Sequence, residues 1–435
     1  MSAVPIPVVE CPKFVRNFCD YFKDLCGSLG DYQSFVALLS AAVFGTAGLS
    51  TIARYFLFSP SVSTMSRFLA TEGLADKLNR RHRRRLKRIL TETLKDPDRF
   101  QFALDDTLIG HDGKSMWGVY SWYDHCKKSY MSGHKLLVLG LVDKKRNILI
   151  PLTWEILHRE IECGKDHETA WQVALRLLQI AVDSGFPKFV LAADSWFFGE
   201  QFCAALVAKG FDYVIETKSN LVVEKHINKN VKQSLTLFFE KRIRRMILWK
   251  NKSKFISEAV VSLKALKGVQ VKIVAVANRR KLDDKVFAYY ASNQLAWDAS
   301  KIWKYSRGRW TIEVMFRELK QFFTLGEAAV RSQKSIETEV SISMIALTVI
   351  RLEQLAVADL NKNQKCQPFS AGRIVRNLQM NSASRSILKL AMKPHKKSVQ
   401  KLKLRYNQQN LNSKPAEKRK KNKVPEIKMS YAQAA

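Results

Sequence analysis

The chain has 435 residues, 46% of them hydrophobic. That is too much for one ordinary core and enough for two or three domains, so a wholly disordered chain is excluded. Lys and Arg number 73 against 39 Asp and Glu, a formal charge of +34. Such a surplus repels itself unless a polyanion neutralises it, and nucleic acid is the natural partner. Charge alone leaves a ribosome-associated or merely basic-surfaced protein open, and it says nothing about chemistry.

Seven Cys, at 11, 19, 26, 126, 163, 203 and 366, include no CxxC pair. Neither a zinc finger nor a disulfide framework is expected, and a reducing, intracellular compartment fits best. The N-terminus lacks a basic segment followed by an apolar run, so no secretory signal is expected. Residues 32–53 carry no charge but include Gln33, Gly45 and Gly48. They read as two buried helices broken near the glycines, and no membrane span is expected.

Residues 1–97 read as a helical DNA-binding domain. Leu78, His82, Leu86, Ile89 and Thr93 recur at helical spacing, with Arg80, Arg84 and Lys87 facing elsewhere. Arg80, Arg81, Arg84, Arg85 and Arg88 make this helix densely cationic. Residues 59–63 offer a turn and an N-cap before a helix at 64–69. Helix, turn and basic helix together suit docking on DNA, against the plainer reading of a solvated charged face.

Residues 98–218 are punctuated like strands and helices in alternation. Strands are expected at 100–105, 135–142, 148–154, 189–193 and 213–217, and helices at 166–184 and 198–209. This order, an antiparallel meander followed by helix crossovers, is that of an RNase H-like mixed sheet flanked by helices, an α/β fold. Residues 219–300 read as a β-rich insertion with strands at 259–263, 269–276 and 285–291. The core then resumes at 301–365. Its helix at 305–323 carries Ile312, Phe316, Leu319 and Phe323 as an apolar stripe, and helix continues to about residue 360. Residues 366–435 are a C-terminal helical region ending in a disordered basic tail at 414–423.

Asp105 and Asp194 each close an apolar strand, an awkward place for a charge unless something compensates it. A divalent cation would do so, because Mg²⁺ needs only a few carboxylates beside water and phosphate oxygens. Glu313 follows Ile312 and should sit half-buried against the sheet. Arg309, Glu313 and Lys320 stand at offsets of four and seven, on one helix face. The carboxylate would hold metal and the two cations phosphate oxygens. Taken singly, a strand-end Asp is often a turn former and an Arg-Glu-Lys face often a solvated ion pair. Three acidic residues in this order, in a chain this basic, make the stronger pattern.

Here a resemblance enters. The segment 305–320, with Tyr305, Arg309-Trp310, Ile312-Glu313 and Lys320, resembles the Tyr-Arg-Glu-Lys signature of bacterial insertion-sequence transposases of the DDE class. Asp105-Asp106-Thr107 is similar to that family's Asp-x-Thr motif, which favours Asp105 over Asp106 as the first carboxylate. Ala193-Asp194-Ser195-Trp196-Phe197 resembles its second-Asp motif. One departure is that three residues separate Tyr305 from Arg309, where the family usually has two.

The resemblance implies catalytic, metal-holding Asp105, Asp194 and Glu313, two Mg²⁺ or Mn²⁺ ions, and DNA contacts from Tyr305, Arg309 and Lys320. It implies cleavage at transposon ends, through a hairpin in some relatives, then strand transfer into target double-stranded DNA by a homodimer. A cytoplasmic, nucleoid-associated bacterial protein follows. Trp249 is a candidate for the aromatic that seats a flipped base in some relatives, a core or surface Trp being the other reading. A nuclease without strand transfer and a transposase-derived DNA-binding protein stay open beside the transposase.

Overall fold

A computed structural model describes residues 11–392 except 56–58, 112–114, 125–126, 160–166, 228, 241, 243–244, 250–251, 279–285, 328 and 361–369. The basic tail expected at 414–423 lies outside the described residues. Five helices come first: α1 (Lys13–Asp20), α2 (Leu29–Val43), α3 (Leu49–Tyr55), α4 (Val62–Leu69) and α5 (Leu74–Leu90). The uncharged stretch breaks where its glycines stand, Gly45 and Gly48 both taking positive φ after α2. Ser61 caps α4 by accepting from the Thr64 N–H at 3.2 Å. No helix among the described residues is long and apolar enough to cross a membrane.

The apolar stripe of α5 is Leu78, His82, Leu86 and Leu90, all buried, whereas Ile89 is 43% exposed. The sequence reading placed Ile89 on the stripe and ran it to Thr93. The true row keeps an offset of four throughout, and α5 ends at Leu90 before Thr93 is reached.

The strands are β1 (Phe100–Gly110), β2 (Tyr120–Asp124), β3 (Ser129–Asp143), β4 (Ile148–Leu157), β5 (Leu191–Ala193), β6 (Tyr213–Thr217), β7 (Val222–His226), β8 (Lys229–Ser234), β9 (Arg245–Trp249), β10 (Lys252–Leu263), β11 (Gln270–Ala277) and β12 (Val286–Ser292). They form one mixed sheet in the order β2-β3-β1-β5-β6-β12-β11-β10-β7-β8, with β4 also on β3 and β9 on β10. β1 runs antiparallel to β3 and parallel to β5, and β5 parallel to β6. Helices α6 (Ala170–Asp183) and α7 (Glu200–Ala208) make the crossovers, and α8 (Leu235–Glu240) follows β8.

The strands of the expected insertion do not build a sheet of their own. β12 pairs antiparallel with β6, Tyr289 opposite Thr217 and Ala291 opposite Ile215. It covers the edge that β6 would otherwise leave open, and the central sheet continues through it into β11 and β10.

The chain closes with α9 (Ala299–Phe322), α10 (Gln333–Leu360) and α11 (Ala371–Met392). By compactness it divides into residues 1–383 and 384–435. Within the first unit, Phe35, Leu39 and Phe68 of the N-terminal helices share one core with Met315 and Leu319 of α9 and Ile345 and Ile350 of α10. The opposite face of the sheet packs Phe102, Leu104 and Leu139 against Ala174, Leu178 and Leu206 of α6 and α7. Buried Arg351 of α10 joins the layers: it pairs with Glu318 of α9 and donates to the Leu149 carbonyl of β4 at 3.0 Å.

Candidate active site

The parallel register of the three central strands lines up their carboxylates. Leu104 of β1 lies opposite Ala193 of β5, and Ala193 opposite Ile215 of β6. The next residue on each chain is acidic: Asp105, Asp194 and Glu216. Side chains alternate along a strand, so Asp105 shares a face with Ala103, which belongs to the core under α9. Asp106 points to the other face and pairs with Lys135 at 3.3 Å. The adjacent aspartates therefore do different things, and it is Asp105 that joins the row.

Helix α9 lies across this row. Asp298 caps its start by accepting from the Ser300 N–H at 2.9 Å. Gly308 permits the close approach to β1, since a Cβ there would stand 2.2 Å from the Gln101 amide. Gln101 uses that space to donate to the Tyr305 carbonyl at 2.9 Å, tying the helix to the strand beneath it.

One turn later Arg309 reaches into the site. Its guanidinium lies 3.3 Å from Asp105, 3.9 Å from Asp194, 3.4 Å from Glu216 and 2.9 Å from Glu313. Four carboxylates thus share one cation. Burial pushes the Asp105 carboxyl up to about 7, helped by the charge of Asp106 and opposed by Arg309. Burial also raises Glu216 and Glu313, again against the pull of Arg309. Burial disfavours the Arg309 charge, but its four carboxylates outweigh that and raise it. The cluster carries more negative charge than one guanidinium can balance.

The donor set is all carboxylate oxygen, which suits a hard divalent ion such as Mg²⁺ or Mn²⁺. As the side chains stand, with Arg309 among them, no three acidic, His or Cys side chains among the described residues are gathered as metal ligands. The residues fit such an ion by chemistry and by their surplus of negative charge.

The other expected residues fall in different places. Lys320 donates to the Leu108 carbonyl at 2.8 Å, three residues along β1 from Asp105. Tyr305 is buried apart from the carboxylates, its ring stacked on Trp297 at 5.3 Å with the Lys144 ammonium 4.0 Å above it. On α5, Arg80, Arg84 and Arg88 are exposed, one turn apart. Arg81 and Arg85 instead lie over the Tyr21 ring, at 5.2 and 4.8 Å, and Arg81 also pairs with Asp24. Trp249 ends β9 opposite Lys252, and its side chain lies outside the described residues.

Glu216 is the residue that the sequence reading missed. The signal was present: an acidic residue inside the apolar strand 213–217, in the position that follows Ile215 as Asp194 follows Ala193. Trp196, which the sequence offers only as part of the second-Asp motif, is 51% exposed two residues past Asp194, with the Lys135 ammonium 4.2 Å above its ring.

Residues 98–349 match the model of the family described as Transposase DDE domain. No curated protein matches the sequence. Among solved structures, a piggyBac transposase synaptic complex with hairpin DNA is similar to 92% of this chain and 81% of that one, at 12% identity and a TM-score of 0.44. A likeness that loose carries no argument.

Proposed function

The chain belongs to the DDE transposase family, and from that premise we propose an RNase H-like, divalent-metal-dependent DNA transposase that cuts at transposon ends and joins the freed 3′-OH to target DNA. The observation that carries this reading is the convergence of Asp105, Asp194 and Glu313 on Arg309, from two neighbouring strands and the helix that crosses them. Asp105, Asp194 and Glu313 would hold the metal, with Glu216 close enough to share in it. Two divalent ions, when bound, supply charge to the attacking and leaving oxygens of an in-line displacement. The protein's own part is positional. Arg309, if its carboxylates turned to a metal, would be placed to donate to a phosphate oxygen, and Lys320 fixes the last turn of α9 to β1 beside it. No covalent enzyme intermediate is needed, because water and then the 3′-OH are the nucleophiles.

The exposed row Arg80, Arg84 and Arg88 supports contact with the DNA backbone, which would position the duplex without reading its sequence. Cutting paired ends requires that two be held together, so a homodimer on DNA is part of the proposal. The test is a nicking and strand-transfer assay on end-bearing DNA with Mg²⁺ or Mn²⁺. Asp194→Ala should abolish both activities while DNA binding stays within about twofold of the parent. Cleavage retained in that variant would sink the assignment. Cleavage by the parent without joining would indicate a nuclease, and DNA binding without either would indicate a binding protein.

A further inference from the structure

Beside the start of α9 lies a cavity of about 580 Å³ that the proposed chemistry does not use. Lys144, which follows β3, and Lys301, Lys304 and Arg307 of α9 line it, with Tyr305 as an aromatic wall. The Tyr305 ring is backed by Trp297, and each ring of this stacked pair carries an ammonium: Lys144 at 4.0 Å over Tyr305 and Lys301 at 4.5 Å over Trp297. Among the described residues none of these four cations has a carboxylate at ion-pair distance. Two acids also line the cavity, Asp98 and Asp298, and Asp298 is taken up by Arg245 at 2.5 Å. The balance is cationic. Burial pulls the Lys144 ammonium down to about 8 against the weaker pull of Asp98, as expected of a cation that lacks a close anionic partner.

The cavity and the carboxylate site lie along one helix: Gly308 lines the cavity, and the next residue of α9 is Arg309. From Lys304 to Glu313 the helix advances about 14 Å at 1.5 Å per residue. A DNA strand places one phosphate per 3.4 Å of axis, so that span is about four nucleotides. We propose that this cavity seats a phosphodiester of the DNA strand flanking the bond to be cut. Lys144, Lys301 and Lys304 would supply the charge, and the Tyr305–Trp297 pair would hold two of those ammoniums in place. The proposal rests on the transposase reading and adds to it a second backbone anchor, which would set where the strand lies relative to the carboxylates.

The test uses the full chain and a long duplex, with binding followed by fluorescence anisotropy over a series of NaCl concentrations. Each lost phosphate contact should reduce the salt slope of log K by about 0.9. The Lys144→Gln, Lys301→Gln, Lys304→Gln variant should bind at least tenfold more weakly at moderate salt, with a slope smaller by one to two contacts. Its Mn²⁺-dependent nicking at saturating DNA should spread over neighbouring positions, because the strand has lost a contact that fixes it relative to the carboxylates. A thermal melt checks its folding, and Lys301→Gln alone, an exposed substitution, should reproduce part of the change. An unchanged slope in a variant that melts and nicks like the parent overturns this anchor and leaves the transposase reading intact. A parent chain that neither binds nor nicks DNA overturns both.

Discussion

Arg309 stands among four carboxylates where the proposed chemistry needs a metal, and its removal should therefore act in two directions. In metal-free buffer Arg309→Met leaves Asp105, Asp194, Glu216 and Glu313 facing one another without their shared cation. Removing one partner of a buried ionic cluster costs about 3–5 kcal/mol, here less because Asp194 and Glu313 are a third exposed. The melting temperature should fall by several degrees. Added Mn²⁺ should then recover more of the lost stability in the variant than it adds to the parent, because a divalent ion takes over the missing charge. Thermal melts with and without Mn²⁺ measure this. An equal Mn²⁺ shift in both proteins would mean that the carboxylates do not form one cation site. The sequence shows Arg309, Asp105, Asp194 and Glu313 separately, by motif and strand end. It does not show that they share a cation, because that depends on the register between β1, β5 and β6.

At the scale of elements, the long periodic pieces were legible. Strand β6 occupies the residues expected for it, 213–217, and α9 buries the predicted stripe Ile312, Phe316, Leu319 and Phe323. Strand β1 was cut short at residue 105, because two consecutive aspartates look like the end of a strand. It continues to Gly110, since Asp105 meets Arg309 on one face and Asp106 meets Lys135 on the other. Strand β8, Lys229–Ser234, had too little apolar pattern to be seen. Helix α5 buries the histidine that the sequence places on its apolar stripe. His82 is fully buried on its inner face, and one ring nitrogen bonds the Pro151 carbonyl of β4 at 3.0 Å. Burial lowers its pKa to about 4, so the folded chain holds it neutral at neutral pH. A base depressed in the folded state contributes stability that is complete above its unfolded value, about 6.5, and lost as pH falls through about 4. The loss amounts to about 3 kcal/mol across that window. His82→Leu should be less stable than the parent at pH 7, having lost the bond to Pro151, and the gap should close or reverse toward pH 4.5. Urea unfolding at the two pH values tests this. Curves that keep a constant separation would show that His82 has the same pKa in the folded and unfolded chain.

For the molecule as a whole, charge and composition pointed to nucleic acid and to several structural parts, but they could not say which parts stand alone. The N-terminal helices looked like a separate domain because their basic patch and their distance along the chain set them apart. Composition cannot reveal a shared core. Phe35, Leu38, Leu39 and Val43 of α2 and Met65 and Phe68 of α4 are buried in the same cluster as Ile312 and Met315 of α9 and Val340, Met344 and Leu347 of α10. Removing residues 1–97 would expose that apolar face and strip the cover from α10. Exposing a single large aliphatic or aromatic side chain costs about 1.5–3 kcal/mol, and a domain is stable by only about 5–15 kcal/mol in total. Losing the partners of even a few such residues exceeds the margin. A chain beginning at residue 98 should therefore be insoluble or unfolded on expression, with no cooperative melt and no metal-dependent nicking. The parent and the Arg80→Ala, Arg84→Ala, Arg88→Ala variant should both fold, the latter with weaker, less salt-dependent DNA binding. The two variants separate cover from contact: loss of folding in the first would mark the helices as a needed layer, and loss of DNA affinity alone in the second would mark their exposed arginines as contacts. A soluble, cooperatively melting fragment that begins at residue 98 would show that the sheet and its last helices close their core without the N-terminal layer.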